Sequence, residues 1–285
     1  MKLSCTDYSF PLLSHDRGCE LVRLLGFGAI DIGLWGGHTR IRPEEVRTDV
    51  AGWAARLSER IQGRGLAIAD LFLIPDPDYA VMAVNNPSGE ERVRGRALFE
   101  EMLGFASALG VEGITLVPGL DFDGEPHERS LERAAEELAQ RVALGRAAGV
   151  RVSVEPHIGS VVAAPADTLR LLELTPGLEI TLDYTHFVMQ GFAVEELDPL
   201  LPRVRHAHAR AGRPDRLQVG MQENEIDFER MIDALAAAGY DGWIATEYLW
   251  IDQARCNECD TLSETILMRD RLQAHLDAVP TGAAS

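Results

Sequence analysis

Ala148-Gly149-Val150-Arg151-Val152-Ser153-Val154-Glu155 contains the pattern on which the reading of the whole chain turns. A helical stretch ends at a glycine, the residue that best accepts the left-handed backbone that stops a helix. A β-branched run follows, and a carboxylate stands directly after it. The same passage recurs at Leu109-Gly110-Val111 before Gly113-Ile114-Thr115-Leu116-Val117 and at Leu25-Gly26-Phe27 before Ala29-Ile30-Asp31-Ile32. It appears again at Ala238-Gly239-Tyr240 before Trp243-Ile244-Ala245-Thr246. Short apolar runs of this kind suit strands covered on both faces.

Strand-like runs begin near Leu3, Ala29, Leu66, Gly113, Val150, Glu179, Val204 and Gly242. Helical patterns lie between them, among them Pro43 to Gln62, Ser88 to Leu109, Ser130 to Ala148 and Phe228 to Ala238, with a short one at Val194 to Leu200. This alternation predicts parallel strands joined by crossover helices. A doubly wound sheet would carry a Gly-rich phosphate loop after an early strand, and none is present. The expected fold is therefore α/β, a single-domain (β/α)8 TIM barrel over residues 1–279, with a frayed tail over 280–285. The Pro- and Asn-rich segment Ile74 to Gly89 follows the third strand and is expected to cover the site as a lid.

Lys and Arg total 27 against 45 Asp and Glu, for a net charge of −18. Such a surface repels phosphate backbones, which argues against nucleic acid as a partner while leaving room for a small substrate. No apolar stretch reaches the roughly 18 residues of a membrane span, so no membrane partner is expected. Met1 to Phe10 lacks a charged-then-apolar leader, which makes the cytoplasm the expected compartment. Cys256-Asn257-Glu258-Cys259 forms a CxxC without a second soft pair or a thioredoxin-like context, so reduced, non-catalytic thiols are expected. Barrel helices offer several faces for a homo-oligomer.

Barrel enzymes place their chemistry at the C-terminal ends of the strands. Here those ends read Val154-Glu155-Pro156-His157, Leu182-Asp183-Tyr184-Thr185-His186, Arg205-His206-Ala207-His208-Ala209-Arg210 and Ala245-Thr246-Glu247-Tyr248. Ionisable groups straight after apolar runs are costly unless paired or bound to a metal. Four consecutive strands ending this way point to one shared site.

These motifs resemble the sugar-phosphate isomerase/epimerase superfamily, the xylose isomerase-like barrels that also include apurinic-site endonucleases. The pattern is Glu155 after strand five, Asp183 with His186 after strand six, His206 with His208 on strand seven, and Glu247 after strand eight. Ile226-Asp227-Phe228 and Gly239-Tyr240-Asp241-Gly242 fit the same resemblance. It implies Glu155, Asp183, His208 and Glu247 as ligands of one divalent ion. Three carboxylates and one imidazole suit Mn²⁺ first, with Mg²⁺, Co²⁺ or Zn²⁺ as alternatives.

The resemblance also implies that His186 touches substrate, along with an arginine past strand seven. Arg210, Arg213 and Arg216 compete for that role, and Arg210 is favoured because two-residue spacing puts it on the same side as His208. His157 either meets substrate or orients Glu155. Trp35, Tyr8 and Phe72 are either walls of a sugar pocket or ordinary core. His206 is expected to be structural and to point away from His208, and Glu155 has a salt-bridge role as its bland alternative.

The expected reaction is proton abstraction beside a carbonyl. Glu155 and Glu247 act as the catalytic pair on either side of an enediolate, in a metal-dependent isomerase or epimerase of a keto-sugar or related polyol. Loss of a leaving group from the same enediolate would make a lyase or dehydratase of a keto-sugar, cyclitol ketone or oxidised glycoside. A non-catalytic sugar-binding barrel and an apurinic-site endonuclease are remote alternatives. The latter needs extra histidines after strands two to four, where this chain has Gly33-Leu34-Trp35, Ala69-Asp70-Leu71 and Val117-Pro118-Gly119.

Overall fold

Left-handed glycines close the helices where the sequence places them. Gly110 (φ 69°) and Gly149 (φ 71°) end helices Gly89–Leu109 and His127–Ala148, and each releases the chain into a strand. The computed structural model describes residues 1–278; the expected frayed tail 280–285 and the domain end at 279 lie outside the described residues. Eight strands follow in order: β1 (Lys2–Thr6), β2 (Ala29–Trp35), β3 (Ala67–Ile74), β4 (Gly113–Leu116), β5 (Arg151–Val154), β6 (Glu179–Asp183), β7 (Val204–Ala209) and β8 (Trp243–Thr246). All neighbouring pairs are parallel, and β8 pairs with β1 to close the barrel, with Leu3 opposite Ile244. The single-domain (β/α)8 architecture is thus the observed one.

Strand starts agree with the sequence reading to within one residue, while two helices differ. The pattern Pro43 to Gln62 splits into Pro43–Val46 and Val50–Gln62, because Asp49 caps the second helix by accepting from Gly52 N. A capping aspartate satisfies an otherwise orphaned N–H and starts a new helix. The long helix before β5 begins at His127 and not Ser130, three residues after Gly124 and directly after Pro126. Between β6 and β7 the chain makes one α turn (Thr185–Val188) and a 3₁₀ helix (Val194–Arg203), a short connection as expected.

The interior layer beneath the C-terminal mouth is polar, where barrels of this kind usually stack branched apolar side chains. Ser153 and Thr181 stand two residues before Glu155 and Asp183 on their strands, and both bond to Thr115. Arg205 Nη2 joins them, donating to Asp70 Oδ1 at 2.7 Å and to Ser153 Oγ at 2.7 Å, with both charged groups buried. This network satisfies its own buried charges and forms a rigid floor under the site.

Candidate active site

The ends of parallel strands share one face, so closure brings the polar ends of β5 to β8 together. Glu155 and Glu247 continue their ladders by one residue, their amides donating to Leu116 O (2.9 Å) and Ala209 O (3.0 Å). His208 Nδ1 lies 2.7 Å from Glu155 Oε1 and 3.4 Å from Glu247 Oε2. His186 Nε2 stands 3.7 Å from Asp183 Oδ2 and 4.0 Å from Glu155 Oε2. All five side chains are buried.

Arg210 sits inside this group. Its Nη2 donates to Asp183 Oδ2 at 2.6 Å and to His186 Nε2 at 3.1 Å, and lies 3.5 Å from Glu247 Oε2. Asp183 Oδ1 accepts from Thr185 N and Thr185 Oγ1, so both its oxygens are engaged. Arg213 and Arg216 turn instead toward Glu223 and Glu258 and do not border the cavity. Of the three arginines the sequence left open, Arg210 is the one at the site.

His206 does not point away from His208, contrary to the sequence reading. Residues two apart on a strand face the same side, and the two imidazoles pack edge to face in the barrel interior with centroids 5.3 Å apart. Behind them stands Asp31 of β2, which the sequence analysis did not single out. Its Oδ2 is 2.5 Å from His206 Nε2 and 3.8 Å from His208 Nε2. The cue available in the sequence was an aspartate inside an apolar strand.

Tyr8, expected as a pocket wall or a core residue, bonds one of the site carboxylates from beneath the cavity. Its hydroxyl donates to Glu247 Oε1 at 2.7 Å. Gly33 permits that approach, since a Cβ there would stand 2.5 Å from the Tyr8 ring.

Burial and the facing Glu247 charge push the Glu155 carboxyl up to about 7. Burial acts on Glu247 in the same direction, but His208 and Arg210 outweigh it and hold Glu247 well below the usual carboxylate range. His208 shows the converse: burial disfavours its charge, yet Glu247 and Glu155 raise it well above an ordinary histidine. Burial lowers His157 to about 3 and His186 to about 4, so both are neutral near pH 7. The neighbours of the two glutamates thus push their carboxyls in opposite directions, Glu155 up and Glu247 down.

Above these groups lies a cavity of about 720 Å³, bordered by Glu155, His157, His186, Arg210 and Glu247 on one side and by Trp35 and Phe72 on the other. His157 thus faces the cavity, with its ring 5.8 Å from that of His186. Tyr8 stacks beneath Trp35 at 4.6 Å. The segment after β3 contributes Pro77 and Tyr79 and is pinned by buried Asn85, which donates to Leu120 O and Ser130 O. On the opposite rim the chain after β8 turns through Ala254 and Arg255 in the left-handed region (φ 52° and 59°), setting Trp250 to Ala254 over the mouth. All four cysteines are buried and unbridged.

The donor set fits a hard divalent cation. Ligand atoms of Glu155, His208 and Glu247 lie within 4.8 Å of one another, and those of Glu155, Asp183 and His186 form a second such set. The four residues named by resemblance are thus spread over two sets sharing Glu155, with Arg210 between Asp183 and Glu247. Glu247 Oε2 and His208 Nε2 are buried without hydrogen-bond partners, a deficit that bound metal and its supporting carboxylate would satisfy.

A closed (β/α)8 barrel whose mouth carries converging carboxylates and imidazoles defines a class of enzyme-type barrels. The family model for xylose isomerase-like TIM barrels matches residues 19–266, and the chain belongs to that family. A Streptomyces coelicolor protein with a provisional assignment as a hydroxypyruvate isomerase is 28% identical over 267 residues, covering 87% of this chain and 89% of that protein. An inosose dehydratase of Lacticaseibacillus casei is 27% identical over 154 residues, covering 44% and 50%. Among solved structures, an L-ribulose 3-epimerase superposes with a TM-score of 0.78 over 97% of this chain and 95% of its own, at 18% identity. The sequence relatives thus carry isomerase and dehydratase assignments, and the epimerase shares the fold. Among the described residues no helix is long and apolar enough to cross a membrane.

Proposed function

We propose that this protein is a divalent-metal-dependent isomerase or epimerase of a keto-sugar or related polyol, with Glu155 and Glu247 exchanging the proton on the carbon beside the carbonyl. The observation that carries this reading is the setting of two buried carboxyls on one imidazole, with His208 Nδ1 2.7 Å from Glu155 and 3.4 Å from Glu247. Glu155, Asp183, His208 and Glu247 would hold the ion. When bound, it supplies a Lewis acid that polarises the substrate carbonyl. Glu247, held low by His208 and Arg210 and steadied by Tyr8, is suited to remove a proton; Glu155, pushed up by burial and the facing Glu247 charge, is suited to return one. His186 and His157, both neutral, are placed to donate or accept hydrogen bonds from substrate hydroxyls at the cavity wall.

A lyase outcome is the second reading, favoured by the partial likeness to inosose dehydratase. Manganese and a cytoplasmic location belong to the proposal, as does a small uncharged polyol as partner in preference to nucleic acid. The test is solvent-deuterium exchange over a panel of ketoses. Glu155→Gln and Glu247→Gln should each cut turnover by about two to four orders of magnitude. One variant should still exchange the substrate hydrogen without forming product. Near-normal rates in both would remove the paired-glutamate mechanism, and loss of water or an aglycone from substrate in the unaltered protein would select the lyase.

A further inference from the structure

The mouth of the barrel is divided. From β5 to β8 its wall is ionisable, whereas the ends of β2, β3 and β4 present Trp35, Phe72, Ile74 and Val117, packed as one apolar cluster with Tyr79. Trp35 and Phe72 meet edge to face at 5.8 Å. Trp250 reaches over the same cavity from the far rim and remains 44% exposed. The polar atoms of the β2–β4 wall are few: the Trp35 indole N–H, buried without a partner, and the Tyr79 hydroxyl at the cavity edge.

Two physical limits follow. A three-carbon acid would leave most of a 720 Å³ cavity unfilled, since pockets of this size enclose ligands with the bulk of a typical drug. A phosphate or carboxylate would also find poor company. Among the described residues lining the cavity, Arg210 is the one guanidinium or ammonium group, and it is engaged by Asp183. The remaining charged lining residues are Glu155, Glu247 and Asp252.

Resting on the function proposed above, we infer that the substrate is an uncharged sugar ketone joined to a flat apolar aglycone. The sugar meets the β5–β8 wall, and the aglycone lies between the Trp35–Phe72–Tyr79 cluster and Trp250. Aromatic walls hold flat rings through offset and edge-to-face contacts as well as through burial.

Binding of unoxidised glycosides to the Mn²⁺-loaded protein tests this without requiring turnover. Phenyl β-D-glucopyranoside should bind ~10–100-fold more tightly than methyl β-D-glucopyranoside, the worth of burying a phenyl ring. Glucose 6-phosphate should bind no better than the methyl glycoside. Trp250→Ala and Tyr79→Ala, both at the rim and outside the main core, should each shrink the phenyl preference by at least about threefold, because each removes one contacting aromatic. Their affinity for the methyl glycoside should fall by less than that for the phenyl glycoside. Equal affinities for the two glycosides, tighter binding of the phosphate, or a phenyl preference untouched by both substitutions would each overturn the inference. Those outcomes leave the deuterium-exchange test standing, and a failed exchange test with the phenyl preference intact would remove the reaction and not the binding site.

Discussion

Arg210 donates to Asp183 Oδ2 at 2.6 Å in a setting where neither side chain is more than 1% exposed. The guanidinium thus counters buried negative charge at the position where the resemblance puts a metal ligand. Removing one partner of a buried pair strands the other charge. Arg210→Gln is expected to destabilise the chelator-treated protein by about 3–5 kcal/mol. Added Mn²⁺ should restore part of that loss. Urea denaturation with and without metal measures both, and equal midpoints for variant and unaltered protein would show that Arg210 is not the counter-charge.

Asp31 Oδ2 bonds His206 Nε2 and stands 3.8 Å from His208 Nε2, close enough for a small shift to make it the carboxylate that supports a metal-bound imidazole. Asp31→Asn should weaken divalent-metal retention by about 10–100-fold while the barrel stays folded. Competition against a chelator reports the dissociation constant, and an unchanged value removes Asp31 from any supporting role.

Tyr8 gives Glu247 its hydrogen bond from the other end of the chain. A bond to a charged acceptor contributes about 1.5–3 kcal/mol. Tyr8→Phe should therefore cost stability of that order and lower turnover about tenfold. Denaturation and steady-state rates check the two effects separately. A loss of turnover without loss of stability would mean that Tyr8 touches substrate and not only Glu247.

His157 is held neutral by burial, down to about 3 from an ordinary value of 6.5. The unfolded chain takes up a proton below pH 6.5 that the folded chain refuses, so this contribution is full above that value and is lost as pH falls toward about 3. In metal-free protein, His157→Gln should flatten the stability profile. Between pH 7 and pH 5 it should lose about 2 kcal/mol less than the unaltered chain. Parallel profiles for the two proteins would contradict the assignment.

Local signals in the sequence were enough for the barrel and for the residues that gather at its mouth. Glycine stops such as Gly110 and Gly149, and apolar runs of strand length, act over a few neighbours and need no distant partner. Once the strands are parallel, a polar residue at a strand's C-terminal end must lie on the site face, which puts Glu155, Asp183, His208 and Glu247 at the mouth, while the family resemblance is what singled them out as ligands. Tertiary structure alone decided what each of them meets. Tyr8 reaches Glu247 only because β1 closes on β8, and Asp31 reaches the histidines only across the barrel interior. Arg210 chooses Asp183 over solvent because a buried charge must find its opposite, a choice made by the closed interior and not by the spacing of residues along the chain.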